Sequence, residues 1–252
     1  MMTYCSSFIR LVMTACLLAF AVPLSAADSG NSDEWKFDAT IYLWGASMDI
    51  KPDDGDTTHI SFSDLLDNLN MAFMGALGAR KDRWSLLMDV IYMDVSFIEK
   101  GSVKIPDQNI KTKASVGMEA WIVTAAGGYN LVDTGKYSLD LLAGARYLAT
   151  DLPIKYKIGT DKLKTTPSAN VWDGIIGVRG KVNLAGKWYM NYYADGGTGD
   201  SSFTWQALAG LNYQFKKVEA GFGYRYLTTY NKDDAIEDLT VKGPYAGVRF
   251  FF

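Results

Sequence analysis

Apolar and polar residues alternate with a period of two, segment after segment, along nearly all of this chain. Successive side chains of a β-strand lie on opposite faces, so the alternation predicts strands with one apolar and one polar face. No stretch after Ala27 approaches the roughly 18 consecutive apolar residues of a membrane helix. We therefore expect an all-β fold with ten strands, over residues 35–50, 69–81, 83–98, 112–131, 136–151, 169–184, 186–195, 202–215, 217–229 and 239–252.

The connections between these strands alternate in length. Tight turns are predicted at Lys81-Asp82, Asp133-Thr134-Gly135, Ala185-Gly186 and Lys216-Lys217, with longer polar loops at 51–68, 99–111, 152–168, 196–201 and 230–238. The first loop is expected to hold one helical turn from Ser63 to Asn68, capped by Ser63, and loop 152–168 to continue as a hairpin. Short turns at one end and long loops at the other predict a closed, antiparallel up-and-down β-barrel, with eight or twelve strands as alternative counts.

The N-terminal segment has the features of a processing signal. Arg10 precedes an apolar run over 11–22 that is too short to span a bilayer, and Leu24-Ser25-Ala26-Ala27 offers small residues for cleavage. We expect residues 1–27 to be a secretory signal peptide that is removed, leaving one barrel domain over 28–252. Both cysteines, Cys5 and Cys16, lie in the signal, which leaves the mature chain without thiolate chemistry. The formal charge of -3 gives no reason to expect a nucleic-acid partner.

The two faces of the predicted strands differ in composition. On the third strand, one face reads Trp84, Leu86, Met88, Val90 and Tyr92, with aromatic residues at the ends and aliphatic residues between them. This is typical of a lipid-facing band with two aromatic girdles. A soluble lipocalin-like barrel, with its apolar face inside, is the alternative.

The opposite face carries charged residues. An arginine facing lipid near the bilayer midplane costs roughly 2–4 kcal/mol, so three of them would rival the ~5–15 kcal/mol that stabilises a domain. We therefore predict that ten charged residues form a network in the lumen: Asp38, Arg80, Asp89, Asp140, Arg146, Asp173, Arg179, Glu219, Arg225 and Arg249. Asp94 and Glu119 fall on the apolar face instead, where a β-bulge could re-aim them.

Two interpretations of the lumen remain open. Acidic and basic residues are mixed there, which favours a salt-bridged plug, because buried ions must be paired. Five glycines share the charged face and favour a narrow pore, although they could instead make room for arginine and tyrosine side chains or permit curvature. These glycines are Gly144, Gly177, Gly210, Gly223 and Gly247.

Motifs that could carry chemistry are weak. His59 is the single histidine, and Ser61 and Asp64 follow it, but spacing alone does not establish a catalytic triad. The segment Pro52-Asp53-Asp54-Gly55-Asp56 resembles part of a calcium loop without its closing glutamate. Loop 152–168 carries four lysines, which either pair with acidic loops such as the one at Asp233, Asp234, Glu237 and Asp238 or contact lipopolysaccharide phosphates. These lysines are Lys155, Lys157, Lys162 and Lys164. No cofactor or metal is expected.

The last eight residues, Tyr245 to Phe252, alternate and end in phenylalanine. With the predicted signal peptide and the hairpin rhythm, this ending resembles the small outer-membrane β-barrels of Gram-negative bacteria, of opacity or porin-like type. The resemblance implies an integral outer-membrane protein with both termini in the periplasm. It also implies contact with membrane lipids and lipopolysaccharide, and makes Phe252 the insertion signal read by the barrel-assembly machinery.

The resemblance does not specify an activity. Our first hypothesis is a non-enzymatic surface barrel with a structural or interaction role and a charge-plugged lumen. The second is a narrow porin-like channel for ions or small solutes. The third is an outer-membrane hydrolase, which would require His59.

Overall fold

The computed structural model describes residues 34–52, 56–105, 108–158, 161–231 and 236–252. The predicted signal peptide, most of the calcium-like segment and Asp233-Asp234 lie outside these residues. The elements are β1 (Lys36–Trp44), β2 (Ser47–Pro52), β3 (Thr58–Ile60), α1 (Phe62–Asp67), β4 (Leu69–Lys81), β5 (Trp84–Ile105), β6 (Gln108–Asp133), β7 (Tyr137–Asp151), β8 (Ile154–Ile158), β9 (Asp161–Thr165), β10 (Ser168–Ala185), β11 (Trp188–Gly199), β12 (Phe203–Gln214), β13 (Val218–Tyr230) and β14 (Ile236–Phe251).

Ten strands close into an antiparallel barrel, which confirms the predicted fold class. The long strands follow one another around the wall in the order β1, β4, β5, β6, β7, β10, β11, β12, β13 and β14. The ladder between β1 and β14 runs from Asp38↔Phe251 to Trp44↔Tyr245 and closes the ring. Closure pairs the two strands that would otherwise be open edges of the sheet.

Tight turns join the strands at one end of the barrel, here called the turn end, as predicted. Lys81 pairs with Trp84 and Ala185 pairs with Trp188, which leaves two-residue connections. Asp82 and Gly186 adopt positive φ angles of 52° and 60° in these connections. Two-residue hairpin turns require such angles, which glycine and aspartate tolerate better than most residues.

At the opposite end, here called the loop end, two of the predicted loops differ from the structure. The predicted loop 99–111 is wrong, because β5 and β6 continue through it with an unbroken register from Lys100↔Lys113 to Ile105↔Gln108. The predicted loop 196–201 is also shorter, since β11 runs to Gly199 and β12 begins at Phe203. In both places the polar residues belong to the loop-end parts of strands. The hairpin predicted within loop 152–168 is confirmed as β8 and β9.

The predicted helical turn is present but begins earlier. Helix α1 starts at Phe62, and the Ser61 hydroxyl accepts a hydrogen bond from the backbone N–H of Asp64, so Ser61 is the cap and not Ser63. The Asp64 carboxylate in turn accepts from Ser61, which completes a capping box. Among the described residues, no helix is long and apolar enough to cross a membrane.

The first predicted strand, 35–50, is interrupted at Gly45-Ala46. Strand β1 pairs with β4 only from Lys36↔Arg80 to Ile41↔Gly75. Beyond the interruption, β2 continues along β14, and β3 is added to β2. The loop-end part of β4, from Leu69 to Met74, therefore has its described ladder with β5 alone.

The outer wall of the barrel is apolar and exposed. Leu43, next to the last residue of β1, is 74% exposed, and Ile176, in the middle of β10, is 71% exposed. Aromatic pairs form a turn-end belt (Trp84–Tyr129 and Trp188–Tyr213) and a loop-end belt (Tyr92–Trp121, Tyr147–Trp172 and Trp205–Tyr226). Trp84 and Tyr92 are eight residues apart on β5, or about 27 Å along the strand and about 20 Å perpendicular to the belts after strand tilt.

The interior of the loop-end half is filled by apolar side chains that the sequence analysis did not anticipate. Leu65 of α1 packs into this loop-end cluster, whose members Val95 and Leu227 are fully buried. The cluster comprises Tyr42, Trp44, Ala46, Met48, Leu65, Met74, Ile91, Met93, Val95, Met118, Ile122, Leu148, Val171, Leu227 and Val241.

Candidate functional site: the barrel interior

Arg225 of β13 occupies the middle of the lumen. Its Nη2 lies 3.1 Å from Asp89 Oδ1, and its Nη1 donates to the Tyr42 hydroxyl over 2.8 Å. Gln206 accepts further hydrogen bonds from Nε and Nη2, at 3.1 and 2.7 Å. The guanidinium also lies over the Trp44 ring, 4.9 Å from its centroid. A buried charge with this many partners is tolerated because its hydrogen bonds replace water.

Arg146 of β7 forms a second mid-barrel group. Its Nη2 lies 2.6 Å from Asp195 Oδ2, and the side chains are 1% and 0% exposed. Thr124 and Thr204 accept from Nε and Nη1 at 3.3 and 3.2 Å, and the Tyr193 hydroxyl donates to Asp195. Asp195 was absent from the predicted network, because its strand was predicted to end at that residue.

Nearer the turn end, Asp140 accepts hydrogen bonds from two arginines. Its Oδ2 accepts from Arg80 Nη2 and, over 3.1 Å, from Arg179 Nε, while Asn130 donates to Oδ1 over 2.7 Å. The residues come from four strands of the wall. The Asp140 carboxylate therefore links β7 to β4, β6 and β10, which restrains the relative positions of these four strands.

Arg249 links two further predicted residues at the turn end. It lies 3.4 Å from both Glu219 Oε2 and Asp38 Oδ1, and Tyr189 donates to Glu219 over 2.5 Å. The Arg249 side chain is 41% exposed, so this pair is more hydrated than the mid-barrel ones. Exposed pairs of this kind contribute typically less than ~1 kcal/mol.

Asp173 is the one predicted network residue that has a different role in the structure. It lies opposite Arg146 in the β7–β10 register, but its Oδ1 accepts from the backbone N–H and the hydroxyl of Ser201, at 3.0 and 2.8 Å. These bonds hold the short connection between β11 and β12 against β10. Asp173 thus anchors a loop at the end of the barrel.

The interior is layered along the barrel axis. On β7, Asp140 precedes Arg146 and then Leu148 of the loop-end cluster, and on β13 Arg225 is followed by Leu227. Charged groups thus line the turn-end half and occupy the middle, and apolar groups fill the loop-end half. A cavity of about 510 Å³ lies on the turn side, between residues near the turn end, including Lys36, and the mid-barrel groups.

The inward glycines are in crowded positions, and of the five only Gly247 also lines the turn-side cavity. A Cβ at Gly144 would overlap the carbonyl oxygen of Ala125, and one at Gly223 would overlap that of Ala209. At Gly210 it would overlap the Tyr245 hydroxyl. These glycines therefore accommodate close strand approach and tyrosine packing, which is one of the alternatives to the pore interpretation.

Asp94 and Glu119 remain on the outward face. The β5–β6 register is unbroken from Trp84 to Ile105, so the suggested bulge does not re-aim them. They lie opposite each other, one outward position beyond the Tyr92–Trp121 ring pair. Tyr92 donates to Glu119 over 3.2 Å and Asn70, at a register shift in β4, donates to Asp94 over 3.0 Å.

His59 lies on β3 at the loop end, away from the lumen network. Its Nδ1 is 2.5 Å from Asp49 Oδ1, and Lys242 Nζ is 2.7 Å from Asp49 Oδ2. The hydrogen bonds from His59 and then Lys242 lower the pKa of the Asp49 carboxyl below its usual value. The recorded partners of Ser61 are Ser63 and Asp64, so the hydrogen bonds found here do not join Ser61 to His59. Among the described residues, no cluster of three or more His, Cys, Asp or Glu could hold a metal ion.

The fold class is a closed, antiparallel up-and-down β-barrel of ten strands. Three solved structures show the level of similarity. The translocator domain of the autotransporter NalP from Neisseria meningitidis is 13% identical, with 98% of this chain and 97% of that chain covered and a TM-score of 0.43. The outer-membrane protease OmpT from Escherichia coli is 9% identical, with 90% and 99% covered and a TM-score of 0.45.

The third is Ail, the attachment invasion locus protein of Yersinia pestis, at 14% identity, 87% and 99% coverage and a TM-score of 0.38. These matches are outer-membrane β-barrels, the superfamily that the sequence resembles. Similarity this low carries no argument about activity, ligand or partner. No protein-family description and no curated protein matches the chain.

Proposed function

We propose that this protein is an integral, non-enzymatic outer-membrane barrel with a closed lumen, serving a structural or surface-interaction role. The observation that carries the proposal is the packing of the barrel interior: a mid-barrel layer of paired arginines lies directly against the loop-end cluster. Ions would have to cross both layers. The apolar layer offers them no hydrogen bonds to replace water.

Membrane insertion is supported by the outer wall. Exposed aliphatic residues lie between two aromatic belts about 20 Å apart, somewhat less than the ~25 Å apolar band of such barrels. In water this wall would be a continuous apolar patch far larger than soluble monomers expose. We expect the purified protein to require detergent and to fractionate with bacterial envelopes. A folded monomer in plain buffer would refute insertion.

The even number of strands places both ends of the barrel wall, Lys36 and Phe251, at the turn end. In the proposed orientation this end is periplasmic and the loop end is outside. Phe252 would then present the C-terminal strand to the assembly machinery, and the loop end would contact lipopolysaccharide.

A channel is the second candidate, favoured by the turn-side cavity. Planar-bilayer recording separates the two functions. We expect no stepwise conductance from the refolded wild type. Steps whose ion selectivity changes in Arg225→Gln, but less in the more exposed Arg249→Gln, would show that the lumen conducts and would overturn the closed-barrel proposal. Heat-modifiable gel mobility confirms folding of each protein.

The hydrogen bond between His59 and Asp49 could orient a catalytic base, but the hydrogen bonds of the nearby Ser61 hydroxyl lead to Ser63 and Asp64 and not to His59. We expect His59→Ala to retain any lipid- or peptide-related activity found in the purified protein. Loss of such an activity in His59→Ala, with retention in Ser63→Ala, would reinstate the enzymatic hypothesis.

A further inference from the structure

The turn-side cavity extends from the rim of the barrel to the mid-barrel groups. At the turn end it is lined by the terminal residues of several strands, including Lys36 of β1, Asp133 of β6 and Gln214 of β12. At its inner end it reaches Arg225 and Tyr193. Its volume of about 510 Å³ lies within the ~300–1,000 Å³ that small-molecule sites occupy. Because the loop-end cluster fills the barrel beyond the mid-barrel groups, a small molecule would enter and leave at the turn end.

The charges that line this cavity leave a small positive excess. Among the described residues, six basic and five acidic side chains line it. Arg225 is paired with Asp89 at the inner end. Arg249 lies 3.4 Å from both Asp38 and Glu219, so its charge is more than compensated. The excess therefore has to lie elsewhere on the cavity wall.

The excess charge is located at Arg80 and Arg179, which share a single carboxylate. Both contact Asp140 Oδ2, and in the described part of the chain no other acid is recorded as an ion-pair partner of either arginine. The Asp140 side chain is 2% exposed, whereas those of Arg80 and Arg179 are 41% and 22% exposed. The carboxylate is therefore buried behind the two guanidinium groups, which face the cavity with one net positive charge.

These two guanidinium groups also have hydrogen-bond donors to spare. An arginine carries five N–H donors. The recorded hydrogen bonds of Arg80 and Arg179 use one donor each, both to Asp140. Arg249 is close enough to interact electrostatically with Arg179, which brings a third guanidinium to the same part of the cavity. The planar fork of N–H groups on arginine matches the two oxygens of a carboxylate, so the site suits an organic acid.

Uncharged polar groups line the cavity beside the arginines. Asn191 Oδ1 accepts a hydrogen bond from the Asn212 amide over 2.7 Å and from the Tyr245 hydroxyl over 3.5 Å. Within the described ranges, neither the Asn191 amino group nor the Asn212 carbonyl oxygen has a recorded hydrogen-bond partner, and both residues line the cavity. One donor and one acceptor on neighbouring side chains match a hydroxyl group, which donates and accepts at once.

We propose that the turn-side cavity binds a sugar acid, a small molecule with several hydroxyl groups and one carboxylate. The carboxylate accepts hydrogen bonds from Arg80 and Arg179 and neutralises the excess charge that they share with Asp140. The hydroxyl groups bind to Asn191 and Asn212. One negative charge matches the single excess positive charge of the lining, which the double charge of a phosphate monoester would exceed. In the orientation proposed above, the ligand enters from the periplasm.

The test is isothermal titration calorimetry of the full-length protein in detergent micelles, with glucuronate and galacturonate as probes. Arg179→Gln removes one of the two donors that face the carboxylate. We expect binding to weaken at least about tenfold, because hydrogen bonds between charged groups are the strong ones. The matched control is Lys216→Gln, which removes the same charge from an exposed turn-end residue outside the cavity lining. It should bind within about twofold of wild type.

A second variant tests the cavity without changing any charge. Ala76 lies on the inward face of β4, opposite Thr40 and Asp89, and lines the cavity. Ala76→Phe should therefore fill part of the space and weaken binding at least about tenfold. Glucose, which lacks the carboxylate, should bind the wild type at least about tenfold more weakly than glucuronate does. Heat-modifiable gel mobility confirms that each protein is folded.

Three results would overturn the proposal. The first is that the folded wild type binds neither sugar acid. The second is that Arg179→Gln and wild type bind them equally, and the third is that glucose binds as tightly as glucuronate. Planar-bilayer recording keeps this proposal apart from the closed-barrel proposal. Conductance by the wild type would overturn the closed lumen and leave the binding result standing, whereas a non-conducting barrel that binds no sugar acid refutes the binding site alone.

Discussion

Removing Arg146 tests whether paired charges in the middle of the barrel stabilise it. Arg146→Met keeps much of the side-chain volume but leaves Asp195 buried, with Tyr193 as its remaining recorded partner. Removing one member of a buried ion pair costs about 3–5 kcal/mol, because the other charge is left without compensation. We expect a loss of that size in the free energy of unfolding.

The double variant Arg146→Met/Asp195→Leu removes both charges. Replacing a buried pair with apolar groups is often close to neutral, so we expect this variant to recover at least about 2 kcal/mol relative to Arg146→Met. Urea unfolding in lipid vesicles, followed by tryptophan fluorescence and heat-modifiable mobility, measures the free energy of each member of the cycle.

Arg249→Met is the matched control. The Arg249 guanidinium is 41% exposed and lies 3.4 Å from its acidic partners, so its removal should cost less than about 1 kcal/mol. Equal losses for Arg146→Met and Arg249→Met would refute the argument from burial. Strict additivity of the Arg146 and Asp195 single variants would show that the two side chains are not coupled.

Three further predictions concern other parts of the barrel. Gly144→Ala should destabilise folding strongly in thermal melts because its Cβ would overlap the Ala125 carbonyl, while Gly174→Ala, with its nearest contact at 3.8 Å, should change stability by less than about 1 kcal/mol. The lowered pKa of Asp49 means that its ionised form stabilises the β2 pairing at neutral pH, and this stabilisation is lost as pH falls below the ordinary aspartate value of 3.8. The protection factors of the β2 amides, which are corrected for the intrinsic exchange rate at each pH, should therefore fall at low pH in wild type and be low already at neutral pH in Asp49→Asn. Deleting Phe252 should slow insertion by assembly machinery reconstituted in vesicles, while spontaneous folding into detergent stays unchanged, and equal rates of assisted insertion would contradict its role as a signal.

The alternation of residue types was sufficient to predict the barrel and the side of each strand on which charges lie. Arg225 and Asp89 could be assigned to one face because that assignment needs only the local period of two. Their direct pairing could not be predicted, because β5 and β13 are not neighbours. Which side chains meet across the lumen depends on strand tilt and stagger, which are properties of the closed ring.

The errors came from residues whose surroundings are supplied by distant strands. Trp44, Met48 and Leu65 belong to different elements, and the loop-end cluster forms only when β1, β2 and α1 come together. The segment 99–111 was predicted as a loop because lysines are poor strand formers, yet cross-strand pairing overrides that preference. Asp195 was missed because a strand boundary was placed at it, and boundaries are the least reliable part of such predictions.

Because the first strand is interrupted at Gly45-Ala46, the barrel wall resists strand separation less at one place than elsewhere. Backbone hydrogen bonds resist separation all around the turn end, but past Ile41↔Gly75 the neighbouring strands β2 and β4 are no longer joined by a described ladder. A pulling force or a rise in temperature should therefore separate the barrel wall first between β2 and β4, at the loop end. Contacts such as the hydrogen bond from the Trp44 backbone N–H to Met74 Sδ, at 3.2 Å, connect the two sides of this boundary.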